Sequence, residues 1–352
     1  MIQQDIIIGG RRIGPSEPPF IIAEMSGNHN QSLDRALAIV DAAAEAGAHA
    51  VKLQTYTAET MTLDIAEGDF FISGETDPWH GQSMFELYQR AYTPWDWHAP
   101  ILERCRARGL ICFSTPFDET AVDFLDELGV PAFKIASFEN TDLPLIRKAA
   151  ATGKPMLIST GMSGAGELEE AVRAAREAGC SDIVLLKCTS TYPAKPRDVN
   201  LLTIPHMREL FGAQVGLSDH SMGVGVACAA VALSAVLVEK HFTLSRAEGG
   251  VDSAFSLEPA ELALLVSETE KAWMSLGNVN YGPVEGEKPF VTDKRSIYVV
   301  KNIAKGEAFT ADNIRVIRPG HGLAPKFIDL VYGRKAAEDL KRGVALRWEL
   351  IA

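Results

Sequence analysis

Eight short apolar runs, each followed by a longer stretch of helical periodicity, fill most of the chain. The runs are FIIAEM (20–25), AVKLQT (50–55), ICFSTP (111–116), AFKIAS (132–137), PMLIST (155–160), IVLLKCT (183–189), QVGLSD (214–219) and VLVEKHFT (236–243). Between them, SLDRALAIVDAAAEAG and GELEEAVRAAREAGC show the clearest helical spacing of Ala, Leu and Glu. Each closes on a glycine near its C-cap, and Ser32 and Ser163 stand in the N-cap regions. Strands that alternate with helices run parallel, and a parallel sheet needs cover. Eight such repeats within roughly 250 residues predict an α/β chain folded as a closed (β/α)8 TIM barrel rather than an open doubly wound sheet. No GxGxxG follows the first strand, which weighs further against a dinucleotide fold.

The rest of the chain departs from this rhythm in three places. DIIIGGRRIG reads as a hairpin turning at Gly9-Gly10. The stretch 56–95 is too long for a barrel connection and holds one clear helix, around SMFELYQRAY. Its aromatic content suits a wall or lid over the barrel mouth, a surface elaboration with its own small core being the alternative. The Gly/Pro-rich segment 279–291 reads as a linker, dividing a barrel domain (1–278) from a small β-rich domain (292–352). In that domain NIAKGEAFTADNI and DLKRGVALRWELI share one pattern, so two pseudo-symmetric halves are expected, docked on something larger.

A net charge of −12 argues against nucleic-acid partners. No apolar run reaches the ~18 residues of a membrane span, and the N-terminus lacks a signal-peptide layout, so a cytoplasmic protein is expected. Cys105, Cys112, Cys180, Cys188 and Cys228 show no CxxC spacing and read as reduced, mostly buried thiols.

Active sites of such barrels lie at the carboxyl ends of the strands. That rule selects Glu24; Lys52 and Gln54; Thr115; Lys134 and Ser137; Ser159; Lys187, Ser190 and Tyr192; Ser218, Asp219 and His220; and Glu239, Lys240 and His241. Charges inside apolar strands are costly unless paired or bound to a ligand. Alternation puts Glu239 and His241 on one face and turns Lys240 away. His220 and His241, on neighbouring strands with Glu24 across the barrel, suit a divalent metal with open coordination positions. Lys52, Lys134, Thr115, Ser137, Ser159 and Ser218 suit a phosphate or carboxylate pocket. A Schiff-base lysine, Lys134 or Lys187, is the rival reading.

IIAEMSGNHN, AVKLQT, FSTPFD, FKIAS, STGM, KCTSTYP, GLSDHS and EKHFTL, in that order, resemble the sialic acid synthase family, and IRPGHGLAP resembles its antifreeze-like (SAF) domain. AYTPWDWH, SFEN, LSRAEGG and DSAFSLEP are similar to that family's pseudaminic acid synthase branch. The resemblance implies condensation of phosphoenolpyruvate with an acetamido sugar, here 2,4-diacetamido-2,4,6-trideoxy-L-altrose. N-acetylmannosamine, or the legionaminic acid precursor, is the alternative acceptor; Ser190 stands where N-acetylneuraminate synthases usually carry Asn.

The resemblance further implies His220 and His241 as ligands of Mn2+, with Mg2+ or Co2+ as alternatives. Lys52, Thr115, Lys134, Ser137, Ser159, Ser190 and Ser218 would contact phosphoenolpyruvate. Glu24, Gln54, Tyr192 and Asp252 would lie around the sugar, with Glu24 as the proton-handling group. Arg318 would enter the partner's barrel in a domain-swapped homodimer. A non-catalytic sugar- or ice-binding protein is the remaining alternative, disfavoured by the charged AEDLKRG and RPGHG stretches.

Overall fold

The computed structural model describes residues 5–74 and 78–352, which divide into two compact units, Met1–Gly277 and Asn278–Ala352. In the first, eight parallel strands close on themselves: β3 (Phe20–Glu24), β4 (Ala50–Thr55), β5 (Ile111–Pro116), β6 (Phe133–Ile135), β7 (Met156–Ser159), β8 (Ile183–Cys188), β9 (Gln214–Ser218) and β10 (Leu237–His241), with β10 paired to β3. The preceding hairpin is β1 (Ile6–Ile8) and β2 (Arg11–Ile13), turned by Gly9 and Gly10, both at positive φ. Ile6, Ile8 and Ile13 are buried, and a Cβ on Gly9 would strike Ile111, the first residue of β5. The hairpin therefore plugs the amino-terminal end of the barrel and leaves the other end for chemistry.

Helix caps follow local chemistry. Ser32 accepts from Arg35 N and starts the helix Leu33–Glu45. Ser163 does not cap the helix Ala165–Glu177; it donates to Asn140 Oδ1, while the backbone N–H of Gly164 donates to Glu167. The insertion after β4 carries the helix Met84–Ala91, begun by a Ser83–Glu86 capping box. Its two ends are clasped by a 2.7 Å hydrogen bond between Thr55 Oγ1 and His98 Nε2. Farther along, the Trp79 indole donates to Val251 O and packs on Tyr192, ring centroids 5.5 Å apart. Trp79 thus holds the insertion against the loops after β8 and β10, as a wall beside the barrel mouth. No described helix is long and apolar enough to cross a membrane.

The second unit has its own core, including Ile297, Val299, Phe309, Ile314, Leu340 and Leu346, and an antiparallel pair, β11 (Ser296–Val299) with β12 (Ile314–Ile317). The repeat seen in the sequence is a structural one. Ile303 and Leu340, equivalent in the two halves, exchange backbone hydrogen bonds at 2.9 and 2.8 Å. Lys305 N donates to Asp339 Oδ1, and its counterpart Arg342 N donates to Asn302 Oδ1. Reciprocal contacts between equivalent residues define a pseudo-two-fold axis. In the segment expected as linker, a 3-10 helix runs over Glu285–Asp293.

Candidate active site

The strand register assembles the site. His241 is opposite Glu24 on the adjoining strand, because β10 closes the barrel on β3, so Glu24 stands beside His241 and not across the barrel as expected. Glu24 is opposite Lys52 and Gln54 opposite Thr115, so neighbouring strands deliver charged and polar groups at one level. One pocket at the carboxyl end is lined by Glu24, Lys52, Gln54, Thr115, Lys134, Ser137, Ser159, Tyr192, Ser218, His220 and His241, together with Phe117, Phe138, Cys188 and Glu239. Ser190 stands just behind, its Oγ 3.7 Å from Cys188 Sγ. Asp252 approaches on the loop after β10, with Oδ2 3.5 Å from His241 Nδ1. Arg318 follows β12 in the second unit and is not among the residues of this pocket.

Glu239, set on the inward face by alternation but not counted above among the binding residues, is the hub. It lies 3.0 Å from Lys134 Nζ, 3.7 Å from Lys52 Nζ, and accepts from Ser218 Oγ at 3.3 Å. Lys52 also reaches Glu24 Oε2 at 2.6 Å and donates to Thr115 Oγ1 at 2.9 Å. All four charges are buried. Burial raises the Glu24 carboxyl above the usual range against the pull of Lys52, and Glu239 adds to the rise. On Glu239 burial acts the same way, but Lys134 and Lys52 outweigh it and hold the group below that range. Two carboxyls with opposed shifts are a basis for dividing acid and anion roles. Burial lowers Lys134, against the pull of Glu239.

The hydroxyls converge because Gly161 lets them: a Cβ there would collide with Ser190 Oγ and Ser137 Oγ. Ser137 Oγ accepts from Gly161 N at 3.1 Å. Other strand-end groups serve the frame. Asp118 caps the helix Glu119–Glu127, and Thr160 donates to Leu186 O. Lys187 points away from the pocket and donates to Cys188 O and Thr189 Oγ1, which removes it as a Schiff-base candidate. Lys240 turns outward and pairs with Asp219 at 2.8 Å.

The two imidazoles meet, ring centroids 5.3 Å apart, in an aromatic surround of Tyr192 and Phe255. His220 Nδ1 donates to Thr189 O at 3.0 Å, which leaves Nε2 as the nitrogen open to a ligand. Burial pushes His241 well below the usual imidazole range, helped by the positive charge of His220 and then of Lys52 and Lys134, which favours the neutral ring. Its Nδ1 is buried without a hydrogen-bond partner. Burial also opposes charge on His220, but Cys188 and the Thr189 carbonyl prevail and raise it. Burial raises the Cys188 thiol in turn, yet His220, Ser137 and Lys134 bring it down to about 6.

Among the described residues no three His, Cys, Asp or Glu side chains gather as a metal cage. A closed structural site is therefore not built there. A neutral imidazole with an orphaned nitrogen, beside a second imidazole fixed by a carbonyl, fits a divalent ion that completes its coordination with substrate and water.

Glu139, Cys188 and Ser26 were not legible as site residues. Glu139 follows Ser137 in a 3-10 turn, with Oε2 buried and unpartnered; burial pushes its carboxyl up to about 7. Alternation along β8 would have turned Cys188 to the side opposite Lys187. Ser26 hydrogen-bonds Asp252 across the whole barrel sequence, which no local pattern announces.

The NeuB family model matches residues 39–281 and the SAF domain model matches 294–352. The chain is 42% identical over 334 residues to the pseudaminic acid synthase of Helicobacter pylori, covering 94% of this chain and 97% of that one. It is 35% identical to the N,N'-diacetyllegionaminic acid synthase of Legionella pneumophila, covering 96% of each. The crystal structure of N-acetylneuraminic acid synthetase from Leptospira borgpetersenii superposes with a TM-score of 0.73 at 34% identity, over 82% of this chain and 95% of that one. A buried, charge-paired pocket at the carboxyl end of a closed barrel, an SAF domain later in the sequence and this likeness along nearly the full length make the chain a member of the NeuB family of sugar-acid synthases.

Proposed function

We propose that the protein condenses phosphoenolpyruvate with 2,4-diacetamido-2,4,6-trideoxy-L-altrose and water to give pseudaminic acid and phosphate. The observation that carries this reading is the juxtaposition, in one pocket, of Lys52 and Lys134 with the His220–His241 pair. The pseudaminic acid synthase relatives, at higher identity than the legionaminic one, favour that acceptor. N,N'-diacetyllegionaminic acid synthesis is the second reading.

Lys52 and Lys134 neutralise the carboxylate and phosphate of the enol phosphate, and Thr115, Ser137, Ser159, Ser190 and Ser218 donate to their oxygens. C3 of the enol attacks the aldehyde carbon of the open-chain sugar, and the resulting cationic C2 takes up water. Phosphate then leaves with its bridging oxygen, so the C–O bond breaks. Glu24, its carboxyl raised by burial, receives or returns the proton. Gln54, Tyr192 and Asp252 orient the sugar. A divalent ion, manganese by preference and magnesium or cobalt otherwise, would be held by His220 and His241 and would supply Lewis-acid polarisation of the aldehyde oxygen. The phosphorylated metabolite substrate suits a cytoplasmic enzyme. In the homodimer, Arg318 of one copy would complete the phosphoenolpyruvate site of the other.

The test is phosphate release from phosphoenolpyruvate across a panel of acetamido sugars. Preference for N-acetylmannosamine or the legionaminic precursor would move the assignment to that acceptor. Release with none, together with borohydride trapping of pyruvate on Lys134, would replace it by Schiff-base chemistry. His220→Ala and His241→Ala should each abolish turnover and metal binding while the fold persists; full activity in chelator would exclude the metal. Arg318→Ala should raise the phosphoenolpyruvate requirement by about 1.5–3 kcal/mol, the worth of a hydrogen bond to a charged group. A monomer by light scattering would exclude the exchange.

A further inference from the structure

Ser26 begins the 3-10 helix Ser26–His29 with φ at 49°. This is the left-handed region, which a residue with a Cβ enters at a cost and glycine enters freely. Glycine would make the same bend, so the bend alone does not account for a serine here. The residue is buried, and its hydroxyl donates to Asp252 Oδ2, 226 positions along the chain. Its backbone N–H donates to Glu24 Oε1 at 3.2 Å.

One residue thus grips two carboxylates flanking His241. Glu24 is the register partner of His241 on β3, and Asp252 Oδ2 lies 3.5 Å from His241 Nδ1. The loop carrying Asp252 has other anchors. Asn28 Nδ2 donates to Phe242 O and Ser256 Oγ, and Ser256 Oγ donates to Asp252 O at 2.7 Å. These bonds set the backbone. The Ser26 hydroxyl is the contact made on the carboxylate itself.

We infer that Ser26 is a positioning residue, whose hydroxyl turns the Asp252 carboxylate toward His241 and the aldehyde end of the acceptor. What the carboxylate then does rests on the condensation proposed above; the contact itself does not. Ser26→Gly keeps the backbone bend without strain and removes the hydroxyl together with its Cβ, and Ser26→Ala removes the hydroxyl alone and keeps the strain. Both should lower kcat/KM for the acceptor roughly tenfold to hundredfold, the span of one hydrogen bond to a charged group, with KM for phosphoenolpyruvate unchanged. In an Asp252→Asn background the same Ser26→Gly change should cost less than about twofold, since the two residues act as one unit. Wild-type turnover by Ser26→Gly, or an undiminished loss in the Asp252→Asn background, overturns the role. A crystal structure of Ser26→Gly gives an answer independent of turnover: a displaced carboxylate supports the inference, and one still facing His241 overturns it. A wild-type protein that releases no phosphate from any acceptor would sink the functional reading and leave that structural answer standing.

Discussion

The two faces of β10 treat buried charge differently. Outward, Lys240 spends all three of its N–H donors on fixed partners: Asp219 Oδ2 at 2.8 Å, Ser221 O at 2.5 Å and Gly223 O at 3.0 Å. Asp219 Oδ1 in turn accepts from Ser221 N and Ser221 Oγ. Inward, Glu239 is shared among Lys134, Lys52 and Ser218, and His241 Nδ1 has no hydrogen-bond partner, Asp252 standing 3.5 Å away. Both sets are buried, so burial alone does not separate them. Satisfaction does: the outer pair is complete within the protein, while the inner set keeps capacity toward a cavity. A closed pair is structural, and an open one awaits a ligand.

Breaking each set should therefore produce opposite losses. Lys240→Met strands Asp219 in the interior and should cost about 3–5 kcal/mol of stability, read from urea denaturation, while the folded fraction turns over normally. Lys134→Met should leave stability nearly unchanged, because Glu239 keeps Lys52 and Ser218, yet lower turnover roughly 10²–10³-fold, the usual worth of one electrostatic donor at a reacting centre. If Lys134→Met proved as destabilising as Lys240→Met, the inner cluster would be a structural ion network and the distinction would fail.

The sequence already carried much of this contrast. Alternation along VLVEKHFT turned Lys240 away from Glu239 and His241, and eight strand–helix repeats supplied the closed barrel that sets β10 beside β3. What stayed hidden was set by distance in the chain or by departure from regular structure. Asp252 and Ser26 meet only because the barrel closes. AFKIAS reads as six strand residues, but β6 spans only Phe133–Ile135, and Ser137 enters a 3-10 turn that carries Glu139 with it. Lys187 and Asp219 satisfy the strand-end rule yet point the wrong way, since that rule fixes a level along the strand and not a face. The identity of the acceptor depends on pocket details that no period of two or of 3.6 encodes.

Glu139 sharpens the comparison with the smallest of these effects, because it belongs to neither class. Unlike Asp219 it is only half-buried as a residue, but its Oε2 is out of reach of water and has no hydrogen-bond partner. Burial lifts its carboxyl from 4.5 to about 7, with Asp142 adding and Lys134 opposing. The folded state therefore binds this proton more tightly than the unfolded chain does. The stabilisation is full below pH 4.5, declines as pH rises to about 7 and is gone above it. Glu139→Gln, neutral throughout, should remove that slope and make the protein about 1–2 kcal/mol more stable than wild type at pH 8, a figure discounted for the exposed part of the side chain. Denaturation midpoints between pH 4.5 and 8 measure it. A wild-type curve that does not fall across that interval would mean that Glu139 is as well served as Asp219, and that an unpartnered oxygen does not by itself mark a group held in reserve.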